Sequence, residues 1–66
     1  MQIIVNGDMR EIATGASLDD LLQSLALDPR MVVVEHNRAI VRRPALEATR
    51  LEDGDQVELV HFVGGG

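Results

Sequence analysis

The stretch LEDGDQVELVHFVGGG, residues 51–66, joins a turn, a strand and a run of glycines. Asp53-Gly54-Asp55 predicts a turn in which Gly54 supplies a positive φ. Residues 56–63 predict a strand, and its alternating side chains are largely apolar on both faces. The glycines that follow have no side chains to pack and lose the most backbone entropy when fixed, so we expect a flexible tail.

Length and composition limit the classes of protein that the chain can belong to. Its 66 residues predict one domain, 1–66, of modest stability, since a chain of this size buries only about 60% of its unfolded surface. The absence of cysteine excludes disulfides and thiol chemistry. Phe62 is the only aromatic residue, which argues against stacking on nucleic-acid bases.

Charge and hydropathy argue against nucleic-acid and membrane partners. The net charge of −5 disfavours phosphate backbones and anionic membranes, and it serves either solubility or a partner with a basic surface. No apolar run is long enough to span a membrane, and no basic region precedes an apolar leader at the start. We therefore expect a cytoplasmic protein.

The first half of the chain predicts a hairpin followed by one helix. Residues 1–5 and 8–12 are strand-like and flank the Asn-Gly pair at 6–7, the strongest short hairpin signal. Ser17 is a good helix N-cap, and leucines then recur at helical spacing to form one apolar stripe. The Asp-Pro pair at 28–29 is expected to end the helix, since the residue before proline is pushed out of the α region.

The second half predicts further strands. Residues 31–34 predict a third strand and 39–41 a short fourth, joined by a turn at 36–38. Residues 44–50 are expected to be irregular, with room for one helical turn. With the strand at 56–63 the pattern is ββαβ(β)β, an α+β fold in which one helix packs on one face of a mixed sheet of four to five strands.

The chain offers few groups for catalysis. His36, expected in a turn, and His61, expected on the sheet facing solvent or the helix edge, have no metal partner at a recognisable spacing. The segment Asp53-Gly54-Asp55 resembles a fragment of a calcium-binding loop, but the rest of the loop pattern is absent from the sequence. Ser17 has no histidine base nearby in the sequence. We predict no catalytic residue, no metal site and no cofactor.

Two surface features point to a protein partner. One helix covers only one face of the sheet, so Val60, Phe62 and Ile4 are expected to be exposed together as an apolar docking patch. The alternative is that Phe62 folds over its own sheet edge. A basic group within 38–50 precedes an acidic group within 52–58, and these are either two solvated faces or a docking surface for a charged partner.

The glycine tail has one functional group, the α-carboxylate of Gly66, which is ionised at neutral pH. Three extended residues reach about 10 Å, so Gly64, Gly65 and Gly66 could thread a narrow channel into another protein's active site. An ATP-dependent enzyme could activate the carboxylate as an acyl-adenylate for attack by a sulfur or nitrogen nucleophile. A frayed end or a cloning remnant is the alternative.

The whole chain resembles the β-grasp (ubiquitin-like) fold with a diglycine end and, within it, the ThiS family of bacterial sulfur carriers. The matching segments are MQIIVNGD, SLDDLLQSL, VVVEHNRAIVRR and LEDGDQVELVHFVGGG. The last segment is the most specific, because it spans sixteen positions and ends in the glycines that would carry the chemistry. One departure is Arg42-Arg43-Pro44, where the family pattern has a proline and then one arginine; it bears on partner choice.

The resemblance implies that the chain is a substrate of enzymes and catalyses nothing. A ThiF-like adenylyltransferase would use ATP to form an acyl-adenylate at Gly66, with Gly65 and Gly64 as the arm. A persulfide sulfur, supplied from cysteine through a desulfurase or sulfurtransferase, would replace AMP and leave a thiocarboxylate. A ThiG-like thiazole synthase would then take the sulfur into the thiazole ring of thiamine.

Other functions remain open. The chain could carry sulfur for molybdopterin synthesis, tRNA thiolation or cysteine synthesis, although its ending argues most against the molybdopterin carriers. It could be a protein modifier joined to target lysines, although without lysine it cannot form lysine-linked chains on itself. It could also be a plain interaction domain with an inert tail.

Overall fold

The structure is a computed structural model that describes residues 1–62. Five strands and one α-helix follow each other in the order ββαβββ. They are β1 (Gln2–Val5), β2 (Asp8–Glu11), α1 (Leu18–Ser24), β3 (Val32–His36), β4 (Ala39–Val41) and β5 (Gln56–His61), with 3₁₀ turns at Pro29–Met31 and Arg43–Ala45. The predicted α+β class is confirmed, with five strands in the sheet.

The strands form one mixed sheet in the order β2-β1-β5-β3-β4. β5 lies at the centre, parallel to β1 on one side and antiparallel to β3 on the other. β1 with β2 and β3 with β4 form two antiparallel hairpins. Within the described sheet, the strand that comes last in the chain therefore connects the two local hairpins.

The helix α1 begins where its capping signal predicts. The Ser17 hydroxyl accepts a hydrogen bond from the Asp20 backbone N–H at 3.1 Å, and the Asp20 carboxylate accepts one from the Ser17 N–H at 2.9 Å. This reciprocal pair satisfies two of the backbone donors that a helix start leaves free. Leu18, Leu21 and Leu22 then face the sheet and are buried.

The helix ends earlier than predicted, at Ser24. Ala26 takes φ 56°, and the Leu27 N–H reaches back to the Leu22 carbonyl at 2.9 Å while the Ala26 N–H bonds the Gln23 carbonyl at 3.0 Å. These two bonds form a Schellman stop, which normally uses glycine at the left-handed position. The predicted end at 28–29 was wrong, because an alanine at the left-handed position does not indicate a helix stop in the sequence as a glycine would.

One hydrophobic core lies between α1 and the face of the sheet that it covers. Its buried members come from both hairpins, the helix, the central strand and the loop before that strand. They are Ile3, Val5, Leu18, Leu21, Leu22, Val32, Val34, Leu46, Leu51 and Val57. Because one helix supplies the whole second layer, the opposite face of the sheet keeps exposed apolar side chains.

The turn between β3 and β4 differs by one residue from the expectation. His36 was predicted in a turn, but it is the last residue of β3 and pairs with Ala39. Asn37 and Arg38 alone form the connection, with φ values of 49° and 73°. Two positive φ values in a two-residue loop are the hairpin geometry whose twist matches that of the strands, so the strand continues through His36.

The predicted strand at 56–63 is present as β5, which ends at His61. Gly54 has φ 85° in the turn before it, as the sequence predicts. Val63 lies outside the described residues.

Candidate functional site

The open face, which is the face of the sheet that α1 leaves uncovered, carries the side chains predicted for docking. In β5, Val57 points into the core and is 1% exposed, so Glu58 and Val60 point the other way. Val60 is 55% exposed, and Phe62, just after the strand, is 47% exposed. The exposure expected for these two residues is therefore observed.

The strand register separates Ile4 from the other two residues of the predicted patch. Ile4 lies beside Gln56 in β5, four residues before Val60, which is about 13 Å along a strand. Val60 instead lies opposite Val33 of β3. Ile4 is half-buried on the open face and pairs with Met9. The apolar surface is thus spread along the sheet and is not one compact patch.

Sequence reasoning missed three apolar members of this face. Val33 is half-buried beside Val60, and Met9 and Ile40 are each 67% exposed. Met9 lies on this face because it pairs with Ile4, and Ile40 lies on it because it pairs with Glu35. The alternation of each strand was visible in the sequence, but the pairing that brings the strands side by side was not.

Two glutamates face each other in the middle of the open face. Glu35 of β3 lies directly opposite Glu58 of β5. The backbone bonds Phe62 N–H to Met31 O and Asn37 N–H to Gln56 O, both 2.8 Å, show that Glu35 and Glu58 form a hydrogen-bonded pair. Such a pair has Cα atoms about 5.5 Å apart. Within residues 1–62 neither glutamate takes part in an ion pair, so the open face presents an acidic spot between apolar ends.

The structure describes the chain as far as Phe62, two residues before the predicted glycine arm. Phe62 still belongs to the sheet by one bond, because its N–H donates to the Met31 carbonyl at 2.8 Å. The predicted acyl-bearing residues Gly64, Gly65 and Gly66 lie outside the described residues. The described part of the chain therefore ends beside the central strand, where the side chains of Val60 and Phe62 are exposed.

His61 lies on the sheet and is exposed, as predicted. It borders a groove of about 490 Å³ on the helix side of β5, whose apolar walls include Leu59, Val5 and Leu25. Arg10 of β2 also lines this groove. His61 points to the same side as Val57 and therefore away from the open face.

His36 has a partner that the sequence did not reveal. Its Nε2 lies 2.6 Å from an Asp55 carboxylate oxygen, and Asn37 donates to the other oxygen at 3.2 Å. Burial raises the pKa of Asp55, but hydrogen bonds from His36, the Glu52 N–H and Asn37 outweigh it and hold the pKa below its ordinary value. This cluster joins the β3–β4 turn to the turn before β5, which indicates a structural role.

Residues 1–62 hold neither a metal-binding cluster nor a membrane-spanning helix. No group of three or more histidine and carboxylate side chains is placed to hold a metal ion in this part of the chain. Among the same residues there is no helix with the length and apolar character needed to cross a bilayer.

A five-stranded mixed sheet with the last strand at its centre and one helix across one face defines a β-grasp, or ubiquitin-like, protein. The profile of the ThiS family matches residues 3–66, and the chain belongs to that family. A crystal structure of a thiamine biosynthesis protein (ThiS) from Geobacter metallireducens superposes with a TM-score of 0.85, at 36% identity, over the whole of both chains.

Two curated relatives have names that bear on function. The sulfur carrier protein ThiS of Bacillus subtilis is 42% identical over 50 residues, which cover 76% of each protein. A thiazole synthase of Magnetococcus marinus is 42% identical over 66 residues, which are all of this chain and 20% of that protein. The chain thus spans about a fifth of the length of the thiazole synthase that it matches.

Proposed function

We propose that this chain is a sulfur carrier of thiamine biosynthesis and that the carboxyl group of Gly66 becomes a thiocarboxylate. The observation that carries the proposal is membership of the ThiS family over residues 3–66, a range that includes the glycine run. The relative named sulfur carrier protein ThiS supports the same role. Under this proposal the chain is a substrate of its partner enzymes and not itself an enzyme.

The chemistry requires two group transfers at one carbon atom. A carboxylate oxygen of Gly66 attacks the α-phosphorus of ATP, and pyrophosphate leaves. The terminal sulfur of a protein persulfide then attacks the acyl carbon, and AMP leaves with the electron pair of the C–O bond. A thiol finally attacks the enzyme-side sulfur of the resulting acyl disulfide. The S–S bond breaks, the thiol forms a disulfide with that cysteine, and the thiocarboxylate leaves with the electron pair. A glycyl carbonyl suits both attacks because no side chain hinders it.

Three partners follow from this scheme. An ATP-dependent, ThiF-like adenylyltransferase makes the acyl-adenylate, and a cysteine desulfurase or sulfurtransferase supplies the sulfur. A ThiG-like thiazole synthase accepts the sulfur. A relative named thiazole synthase supports this partner, because a segment of it matches all 66 residues of this chain. Because the first step consumes ATP, the proposal includes a cytoplasmic location.

The open face is the surface that we assign to docking. Val60 and Phe62 are exposed large apolar side chains at the end of the described chain, so a partner bound there lies within a few residues in sequence of the acyl-bearing Gly66. Ile4 extends this surface toward β2, and the Glu35–Glu58 pair favours a partner that brings a basic side chain to its middle.

Mass spectrometry of the intact protein tests the proposal. The chain is incubated with the adenylyltransferase, ATP, the desulfurase, cysteine and a thiol reductant. We expect a mass gain equal to the exchange of one oxygen for sulfur, located at Gly66 by fragmentation. A variant without Gly65 and Gly66 is the matched control, because it keeps every described residue and should gain nothing. A stable amide adduct on other proteins would instead identify a modifier.

A further inference from the structure

The side chain of Asn6 forms two hydrogen bonds to the backbone of one residue in the central strand. The Leu59 N–H donates to Asn6 Oδ1 at 2.7 Å, and Asn6 Nδ2 donates to the Leu59 carbonyl at 3.3 Å. Asn6 itself has φ 50°, because it is the first residue of the turn between β1 and β2. A side-chain amide has the same donor and acceptor as a peptide unit, so it can replace one.

These bonds continue the parallel ladder past the end of β1. Ile4 N–H donates to Asp55 O and Asn6 N–H to Val57 O, both at 2.9 Å. In a regular parallel ladder the Asn6 carbonyl would next accept from the Leu59 N–H. The turn at Asn6 redirects the backbone, and the side-chain oxygen of the same residue takes that bond.

The consequence is that β1 can turn at Asn6 while β5 continues as far as His61. The backbone register pairs β1 with β5 only at Ile4–Gln56 and Val5–Val57. Beyond Val57, the described hydrogen bonds between this hairpin and β5 are those of the Asn6 side chain. They reach Leu59, three residues before Phe62. On the other side, β3 pairs as far as His61.

We propose that Asn6 is a positioning residue for the reacting carboxyl group, because its side-chain amide holds the end of β5 between β1 and β3 and so sets the direction in which the chain leaves the sheet. The inference rests on the proposed function, since direction matters only if the tail enters a partner's active site. If the end of β5 is displaced, a smaller fraction of the chains bound to the enzyme is positioned to react.

The chain provides a matched control at the other end of the same strand. The Gln56 N–H donates to Asn37 Oδ1 at 2.9 Å, and the Asn37 N–H donates to the Gln56 carbonyl at 2.8 Å. Asn37 has φ 49°, close to that of Asn6, and it also lies in a hairpin turn. Glycine accepts this φ in both places, so Asn6→Gly and Asn37→Gly each remove an amide that bonds the backbone of β5 and keep both turns. Asn37→Gly also removes the bond to Asp55.

The first test is the kinetics of adenylation, followed as pyrophosphate release with each variant as the substrate of the adenylyltransferase. We expect Asn6→Gly to lower kcat/KM roughly tenfold, as the loss of two hydrogen bonds at the strand end predicts. Asn37→Gly should stay within about twofold of wild type even though it unfolds at a lower temperature, since it acts at the far end of β5. Asn6→Asp, which keeps the acceptor for the Leu59 N–H, should recover part of the loss. Equal kinetic losses in the two glycine variants would overturn the inference.

The second test needs no partner enzyme. The Phe62 amide bonds Met31, which neither asparagine contacts, so its hydrogen exchange reports on the order of the strand end. We expect exchange at Phe62 to be roughly tenfold faster in Asn6→Gly and unchanged in Asn37→Gly. Unchanged exchange in Asn6→Gly overturns the inference. If wild-type protein is not adenylated at all, the proposed function is what fails, and the exchange comparison alone decides whether Asn6 holds the end of β5.

Discussion

Replacing Glu58 by glutamine is expected to raise the stability of the fold, because Glu58 lies directly opposite Glu35 across β5 and β3. Like charges that face each other in an antiparallel pair cost roughly 0.2–1 kcal/mol. Both side chains reach solvent, so about 0.5 kcal/mol is the gain to expect when one charge is removed. In a domain of this size that gain raises Tm by about 3 °C.

Thermal unfolding followed by far-ultraviolet circular dichroism is the suitable assay, since the chain has no tryptophan or tyrosine for fluorescence. Glu47→Gln is the matched control. It changes the net charge by the same amount, but Glu47 is exposed and lies outside the strands. In high salt the advantage of Glu58→Gln should shrink, because salt screens the repulsion that the substitution removes.

The same substitution is expected to weaken binding to the adenylyltransferase if the open face docks a basic surface. Stability would then rise while affinity falls, a combination that a purely structural role of Glu58 does not produce. Equal Tm shifts in Glu58→Gln and Glu47→Gln, or a lower Tm in Glu58→Gln, would refute the argument from the cross-strand pair. Unchanged affinity would refute the assignment of the acidic spot to docking.

Three further predictions follow from single residues. Phe62→Ala should weaken binding to the adenylyltransferase and change the free energy of unfolding by less than about 0.5 kcal/mol; a large stability loss with normal binding would make Phe62 a packing residue, and Glu47→Ala, at an exposed position outside the strands, is the control. Ala26→Gly should stabilise the fold by about 0.5–1 kcal/mol in urea unfolding, because glycine accepts φ 56° without strain, and a loss would contradict the Schellman stop. The lowered pKa of Asp55 means that its bonds stabilise the fold above its unfolded pKa and are lost as pH falls through the folded pKa. Asp55→Asn should therefore cost about 1–2 kcal/mol at pH 7 and clearly less near pH 3, and a cost independent of pH would contradict this.

Local signals in the sequence predict local structure in this chain. The Asn-Gly pair at 6–7 predicts the first hairpin, and Ser17 with its acidic first turn predicts the helix start, because each signal acts over a few residues. The helix end was predicted wrongly, since Ala26 takes the left-handed conformation, which alanine rarely adopts and which its residue type does not predict.

Long-range pairing could not be predicted from the residues themselves. Nothing in the alternation of 1–5 or 56–63 indicates that the two strands lie side by side, or that Ile4 meets Gln56 and not Val60. The contact of His36 with Asp55 depends on the same pairing of distant segments. The position of the last strand at the centre of the sheet was accessible only through the resemblance of the whole chain to a known fold.

The central place of β5 has a consequence for how fast the protein folds. Asn6 and Leu59 are 53 positions apart, so β1 and β5 can pair only after nearly the whole chain has closed into a loop. The two hairpins and the helix are local and form early, whereas the step that joins them has a high contact order and should limit the rate. Until that step α1 has no complete sheet to pack on, and a partner would find no open face to bind.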